Sequence, residues 1–299
     1  MIIMKLILQN SIVFILVVVL SLFVSCKKDN AGDQKPPISE TDAETYSLET
    51  MEAESGFDDL QDISMTAADE EGLASAAKAA GTAGRLFPFL KLKLRIGIKA
   101  QITVTPDDNT YPKIVTIDFG NGDDCPDGRF RKGKIILNIS APIRQPGSVL
   151  TITLQDYQVG RLKIEGTKVI TNLSANGNIK FSVQVSNATV TWPNGRGYTY
   201  EKLKYITQTA GGATDDIMDD VYSIEGNAKT TFKNGVEITL STTEALIKKV
   251  SCPWISEGVL QAQVRNHQFS LDYGYPSNGD CDNKALLQWN GKEKVVIIP

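Results

Sequence analysis

Histidine is nearly absent from this chain: His267 is the only one in 299 residues. With a single imidazole, and with no Gly-x-Ser-x-Gly elbow around any serine, nucleophilic hydrolysis has no template. His267 itself lies beside an alternating segment and reads as an exposed strand residue. Cysteine is scarce as well, and no Cys-x-x-Cys pair occurs, which argues against zinc or redox chemistry. No glycine-rich loop opens a helix, so a nucleotide has no phosphate cradle. Lys and Arg are scattered, and nucleic acid is not favoured as a partner. Long apolar runs are missing too. A membrane span needs roughly 20 apolar residues, but Gln9, Asn10 and Ser11 interrupt the first run and leave only residues 12–24.

What is present at the N-terminus is a secretion signal. Lys5 supplies the positive region, residues 12–24 the apolar region, and Phe23-Val24-Ser25-Cys26 resembles a bacterial lipobox. That resemblance implies acylation at Cys26 and a lipid anchor in the cell envelope, at the outer membrane. An uncleaved anchor and a plain secretory signal are the alternatives.

Composition then divides the chain into a signal peptide (1–25), an acidic linker (26–84) and one domain (85–299). Residues 27–84 carry 14 Asp and Glu against 4 Lys and Arg, with Pro36-Pro37 and few aromatics, the mark of a solvated tether. Residues 85–299 reverse the balance, with 26 Lys and Arg against 21 Asp and Glu. Alanines over residues 69–83 favour a weak helix that Gly72 and Gly81 interrupt. Loose order and docking on the domain are both open to it.

From about Lys99 onward the pattern has period two. Leu150, Ile152 and Leu154 alternate with polar residues, as do Ile179, Phe181, Val183 and Val185, and Val236, Ile238 and Leu240. Asn-Gly pairs begin at Asn121, Asn176, Asn194, Asn234, Asn278 and Asn290, where tight hairpins need positive φ. The expectation is an all-β fold: an antiparallel meander of roughly 12 to 14 strands forming a sandwich or a partly open barrel. The polar faces suit solvent and a wet lumen equally. A membrane-spanning barrel is disfavoured, since it would need an outward apolar band with aromatic girdles.

Two segments look alike. Asp118-Phe119-Gly120 leads through an acidic loop to Cys125, and Asp272-Tyr273-Gly274 leads through another to Cys281. They are either equivalent edges of one sheet system or a coincidence of hairpin chemistry. With Cys26 acylated, one pair and one odd thiol remain as the simplest outcome. Because the two loops each hold a cysteine, Cys125 with Cys281 is the favoured pair; three reduced thiols and the other pairings are the alternatives. Asn121, Asp123 and Asp127 offer hard oxygen ligands for a possible calcium ion, without the spacing of the helix-loop-helix calcium motif. No other cofactor is indicated.

Several motifs carry a family resemblance. Tyr111-Pro112-Lys113, Thr116-Ile117-Asp118-Phe119-Gly120, Asp127-Gly128-Arg129 with Gly133-Lys134-Ile135, Glu165-Gly166-Thr167, Asp272-Tyr273-Gly274 and Cys281-Asp282-Asn283-Lys284 occur in an order that resembles a family of Bacteroidetes-type envelope lipoproteins over residues 103–299. The resemblance implies lineage and the cell envelope, and it brings no activity or catalytic residues with it.

Three functions follow. The leading one is a non-catalytic, lipid-anchored β domain binding an envelope or extracellular partner, carbohydrate or protein, through its loops. The second is a periplasmic carrier or assembly factor whose incomplete barrel shelters an apolar ligand. The third is a carbohydrate-active enzyme using aspartates from the clusters at residues 118–127 and 215–220. An exposed platform built from Trp192, Tyr198, Tyr200 and Tyr205 would mark glycan binding, although core is the preferred place for them. An apolar cavity would mark the carrier, and facing aspartates in a cleft the enzyme.

Overall fold

The computed structural model describes residues 38–81, 89–213, 217–276 and 278–298. The expected signal segment, Cys26 and the first part of the expected linker, residues 26–37, lie outside these. From Ile38 the chain belongs to one compact unit that runs to the C-terminus.

Helix α1 (Glu40–Ala79) comes first, followed by the short α2 (Leu90–Ile96). The strands are β1 (Gln101–Thr105), β2 (Lys113–Asp118), β3 (Asp123–Asp124), β4 (Phe130–Ile139) and β5 (Val149–Val159). They continue with β6 (Leu162–Asn172), β7 (Lys180–Thr191), β8 (Gly197–Ala210), β9 (Val221–Phe232) and β10 (Glu237–Lys249). The last four are β11 (Glu257–Val264), β12 (His267–Asp272), β13 (Lys284–Trp289) and β14 (Lys292–Ile297). All 14 form one antiparallel meander in chain order, with β3 a side branch on β4. β1 and β14 do not pair, so the sheet is not closed. All six Asn-Gly pairs fall in connections between strands, and Asn176, Asn278 and Asn290 adopt φ of 52°, 50° and 47°.

Alternation sends Val115, Ile117, Leu150, Ile152, Val183, Ile238 and Leu240 to a buried face. Cations are buried as well: Lys113, Arg131, Lys168 and Lys204 are at most 5% exposed. Lys168 reaches the interior through a bulge at Gly166, whose φ is 124° and where an added Cβ would stand 2.5 Å from Ala188 Cα, leaving no room for a side chain.

These cations explain the principal departure from the sequence reading. The acidic stretch assigned to a solvated linker is, from Glu40, a 40-residue helix docked on the sheet. At 1.5 Å per residue it is about 60 Å long. Ser39 caps its start by accepting a hydrogen bond from the Asp42 N–H at 3.1 Å. In an alternating meander, successive connections emerge at opposite rims, and the first half of α1 follows one rim backward through the chain. Glu40 meets Trp289 and Lys292, Tyr46 meets Asn234, Glu49 meets Arg196, Glu52 meets Arg161 and Ser55 meets Arg129. The helix then crosses to the other rim, where Asp69 accepts from Arg144 and Lys78 pairs with Asp107. His267, expected to be exposed, sits half-buried with Nε2 2.9 Å from the Ile38 carbonyl oxygen.

Apolar packing reinforces the ion pairs. Phe57 stacks on Tyr200 at 4.6 Å, Tyr46 lies 4.6 Å from Phe232, and Tyr198 lies between Trp192 and Phe232. Gly56 brings the helix close to β6, since a Cβ there would stand 3.1 Å from Ile164 Cδ1. The aromatics considered for glycan stacking are therefore core, apart from Tyr205, which is 38% exposed with Lys180 over its ring.

Candidate functional site

Where α1 does not fill the curve of the sheet, a cavity of about 890 Å³ remains. Its apolar wall includes Ile170, Phe181, Val183, Ile206, Ile224 and Leu240 from β6 to β10. The helix adds Met51 and Met65, and the β10–β11 loop adds Pro253, Trp254 and Ile255. This volume lies within the range of roughly 300 to 1,000 Å³ typical of small-molecule sites.

Polar groups enter from both sides. From β8, Lys202 pairs with Glu54, and Lys204 Nζ donates to Asp58 Oδ1 at 2.7 Å. Burial resists charge on Asp58, but Lys202 and Lys204 outweigh it and hold the carboxyl well below its usual range. Lys168 stands behind this pair, donating to the Phe57 carbonyl oxygen at 2.7 Å. Burial first, then the nearby Lys204, pulls its pKa down to about 7. Asp62, one turn after Asp58, has a side chain 64% exposed because it opens onto the cavity, and its ion-pair contact is Arg95 at 3.7 Å.

A buried pair anchors the other side of the helix. Arg131 clasps Asp59 with contacts of 2.6 and 3.2 Å and Asp127 with contacts of 2.8 and 2.7 Å. Arg95 adds a 2.9 Å hydrogen bond to Asp59. This corrects the calcium expectation. Asp127 is held by Arg131 and Arg95, and Asp123 by Lys99 at 2.8 Å, so the carboxylates meant for a cation already have cations from the chain. Among the described residues no group of three His, Cys, Asp or Glu is disposed to hold a metal, and Asn121 lies outside these ion pairs.

The disulfide also differs from the expected pairing. Cys252 bonds Cys281 with Cα atoms 5.5 Å apart, while Cys125 is a free, buried thiol. The reason is strand parity. The β2–β4 and β12–β13 connections lie at opposite rims, which separates Cys125 from Cys281, whereas the β10–β11 and β12–β13 connections share a rim. The bond therefore ties down the loop that covers one end of the cavity. The likeness between the two acidic loops is local turn chemistry: Asp118 Oδ1 accepts from Gly120 N at 2.8 Å, and Asp272 Oδ1 from Gly274 N at 2.9 Å.

Of the aspartates considered for catalysis, Asp215 and Asp216 lie outside the described residues, Asp118 pairs with Lys134, and Asp220 accepts from Gln208 and Tyr222. The cavity carboxylates come instead from α1. Their signal was the acidity of residues 40–79, which reads as solvation until the opposing lysines are seen. No known protein family, curated protein or solved structure matches the chain.

Proposed function

We propose that this protein is a non-catalytic envelope carrier, anchored through an acylated Cys26, that shelters an amphipathic ligand between α1 and its open sheet. The observation that supports this reading is the cavity: about 890 Å³, with apolar walls and charged side chains that enter from both the helix and the sheet. Burial of Trp192, Tyr198 and Tyr200 takes away the aromatic platform that loop-based glycan binding would use. The resemblance to envelope lipoproteins fits a carrier that works beside a membrane.

The test is uptake of N-phenyl-naphthylamine, a neutral fluorophore that brightens in apolar surroundings. The full chain carrying Cys26→Ser, free of its own acyl groups, takes up the dye saturably. Leu246→Trp and Ile206→Trp, which add a ring to the cavity wall, abolish uptake while the far-ultraviolet circular dichroism is unchanged. Uptake equal in both variants and the parent refutes the carrier. Separately, Cys26→Ser that leaves processing and membrane partition unchanged removes the anchor from the reading.

A further inference from the structure

Resting on the carrier reading, we propose that the ligand is a zwitterionic amphiphile whose head carries an ammonium together with a phosphate or carboxylate, held between Asp62 of α1 and Lys248 of β10. The starting point is which cavity charges the protein has already matched. Lys202 and Lys204 are answered by Glu54 and Asp58, Arg161 by Glu52, and Arg95 by Asp59 and Asp127. Lys248 differs. Its Nζ donates to the Cys252 carbonyl oxygen at 2.6 Å, and no carboxylate of the described residues pairs with it within 4.0 Å.

Across the cavity, Asp62 is nearly as poorly matched, with only Arg95 at 3.7 Å. On the same turn, Gln61 Oε1 is buried without a hydrogen-bond partner among the described residues. The three groups, one donor cation and two acceptors, all line the cavity. Asp62 and Asp58 are the charges that act most on Lys248, so opposite charges are near without touching. Burial lowers the pKa of half-buried Lys248, which has lost water without gaining a counterion, while Asp62 stays open to the cavity.

A bridging head group resolves this. Its ammonium would donate to Asp62 and the Gln61 carbonyl oxygen, its anion would accept from Lys248, and its tail would lie along Leu246, Ile224 and Phe181. A fatty acid would satisfy Lys248 but set a third carboxylate near Asp62 and Asp58. An alkylamine would do the reverse with Lys248. A head carrying both signs answers both groups without a like-charge contact, and a neutral head answers neither.

Three competitors of equal chain length separate these cases by displacing N-phenyl-naphthylamine from the Cys26→Ser chain: lauroyl lysophosphatidylethanolamine, laurate and dodecylamine. The zwitterion is expected to displace the dye at about one tenth of the concentration the other two need, the difference one charged hydrogen bond makes. Asp62→Asn should weaken the zwitterion about tenfold and spare laurate, and Lys248→Gln should weaken it about tenfold and spare dodecylamine. Equal displacement by all three amphiphiles, or a zwitterion indifferent to both substitutions, overturns the head-group assignment and leaves the carrier standing. Failure of any amphiphile to displace bound dye overturns both.

Discussion

Phe57→Ala tests whether α1 belongs to the fold. Phe57 is 2% exposed and stacks at 16° on Tyr200, itself fully buried. Truncating a buried phenylalanine costs about 3 to 5 kcal/mol, of which the ring pair accounts for roughly 0.5 to 1.5. That is a large share of the 5 to 15 kcal/mol that holds a typical domain together. With a urea slope of about 3 kcal/mol per molar, the midpoint should fall by at least about 1 M. Tryptophan fluorescence is the right readout, because the Trp192 indole N–H donates to Glu52 at 3.4 Å and the Trp289 indole N–H donates to Glu40, both on α1. Leu73→Ala, on a helix position 52% exposed, serves as control and should change stability by no more than about 0.5 kcal/mol. If Phe57→Ala leaves the fluorescence midpoint where Leu73→Ala leaves it, the helix is not docked and the account of the cavity fails with it.

Acid should also undock the helix. Asp58, Glu52 and Asp127 are all held below their usual range against the opposing effect of burial, by lysines in the first case and arginines in the others. The unfolded chain therefore binds more protons in acid, so their contribution is complete above about pH 5 and is lost as pH falls through the folded values. A urea midpoint flat between about pH 5 and 3 would contradict this. Lys168 acts at the other end: folded it releases its proton near pH 7, so between there and about pH 10 the unfolded chain holds the extra proton and stability rises with pH. Lys168→Met should flatten that rise, and an unchanged slope assigns it to other groups. Peptide mapping without reduction should recover Cys252 joined to Cys281, and Cys125 should alkylate only after unfolding. A peptide joining Cys125 to Cys281 would sink the connectivity. Closing this 29-residue separation stabilises by about 3 to 4 kcal/mol in the chain-entropy model, so reduction should lower the urea midpoint measurably.

The sheet was legible because its signals are local. Alternation in β5, β7 and β10 and Asn-Gly at the turns are readable within a few residues, and the structure follows both. The helix was not. Many of its buried positions are small or polar, among them Ala43, Ser47, Thr50, Ala53, Gly56, Ser64 and Ala67, so no broad apolar stripe marks it. Its carboxylates look like solvation because their partners are far along the chain: Arg131 is 72 residues from Asp59 and Lys292 is 252 from Glu40. The net positive charge of residues 85–299 was the one available hint, since lysines on alternating positions serve a charged interior as readily as a wet surface. Disulfide connectivity failed for a related reason: similarity of two loops carries no information about which rim each occupies, and strand parity does.

The backward path of α1 along the rim sets an order of assembly. Translation delivers the helix first, yet its partners arrive later, the final one on β14. With 12 acidic residues against one basic, the isolated helix repels itself and stays soluble until the lysine-bearing strands exist. The meander itself is built from neighbouring hairpins, but docking α1 needs contacts distant along the chain, which makes that docking the slow step. Such a chain commits to its full structure only once its last hairpin has been made.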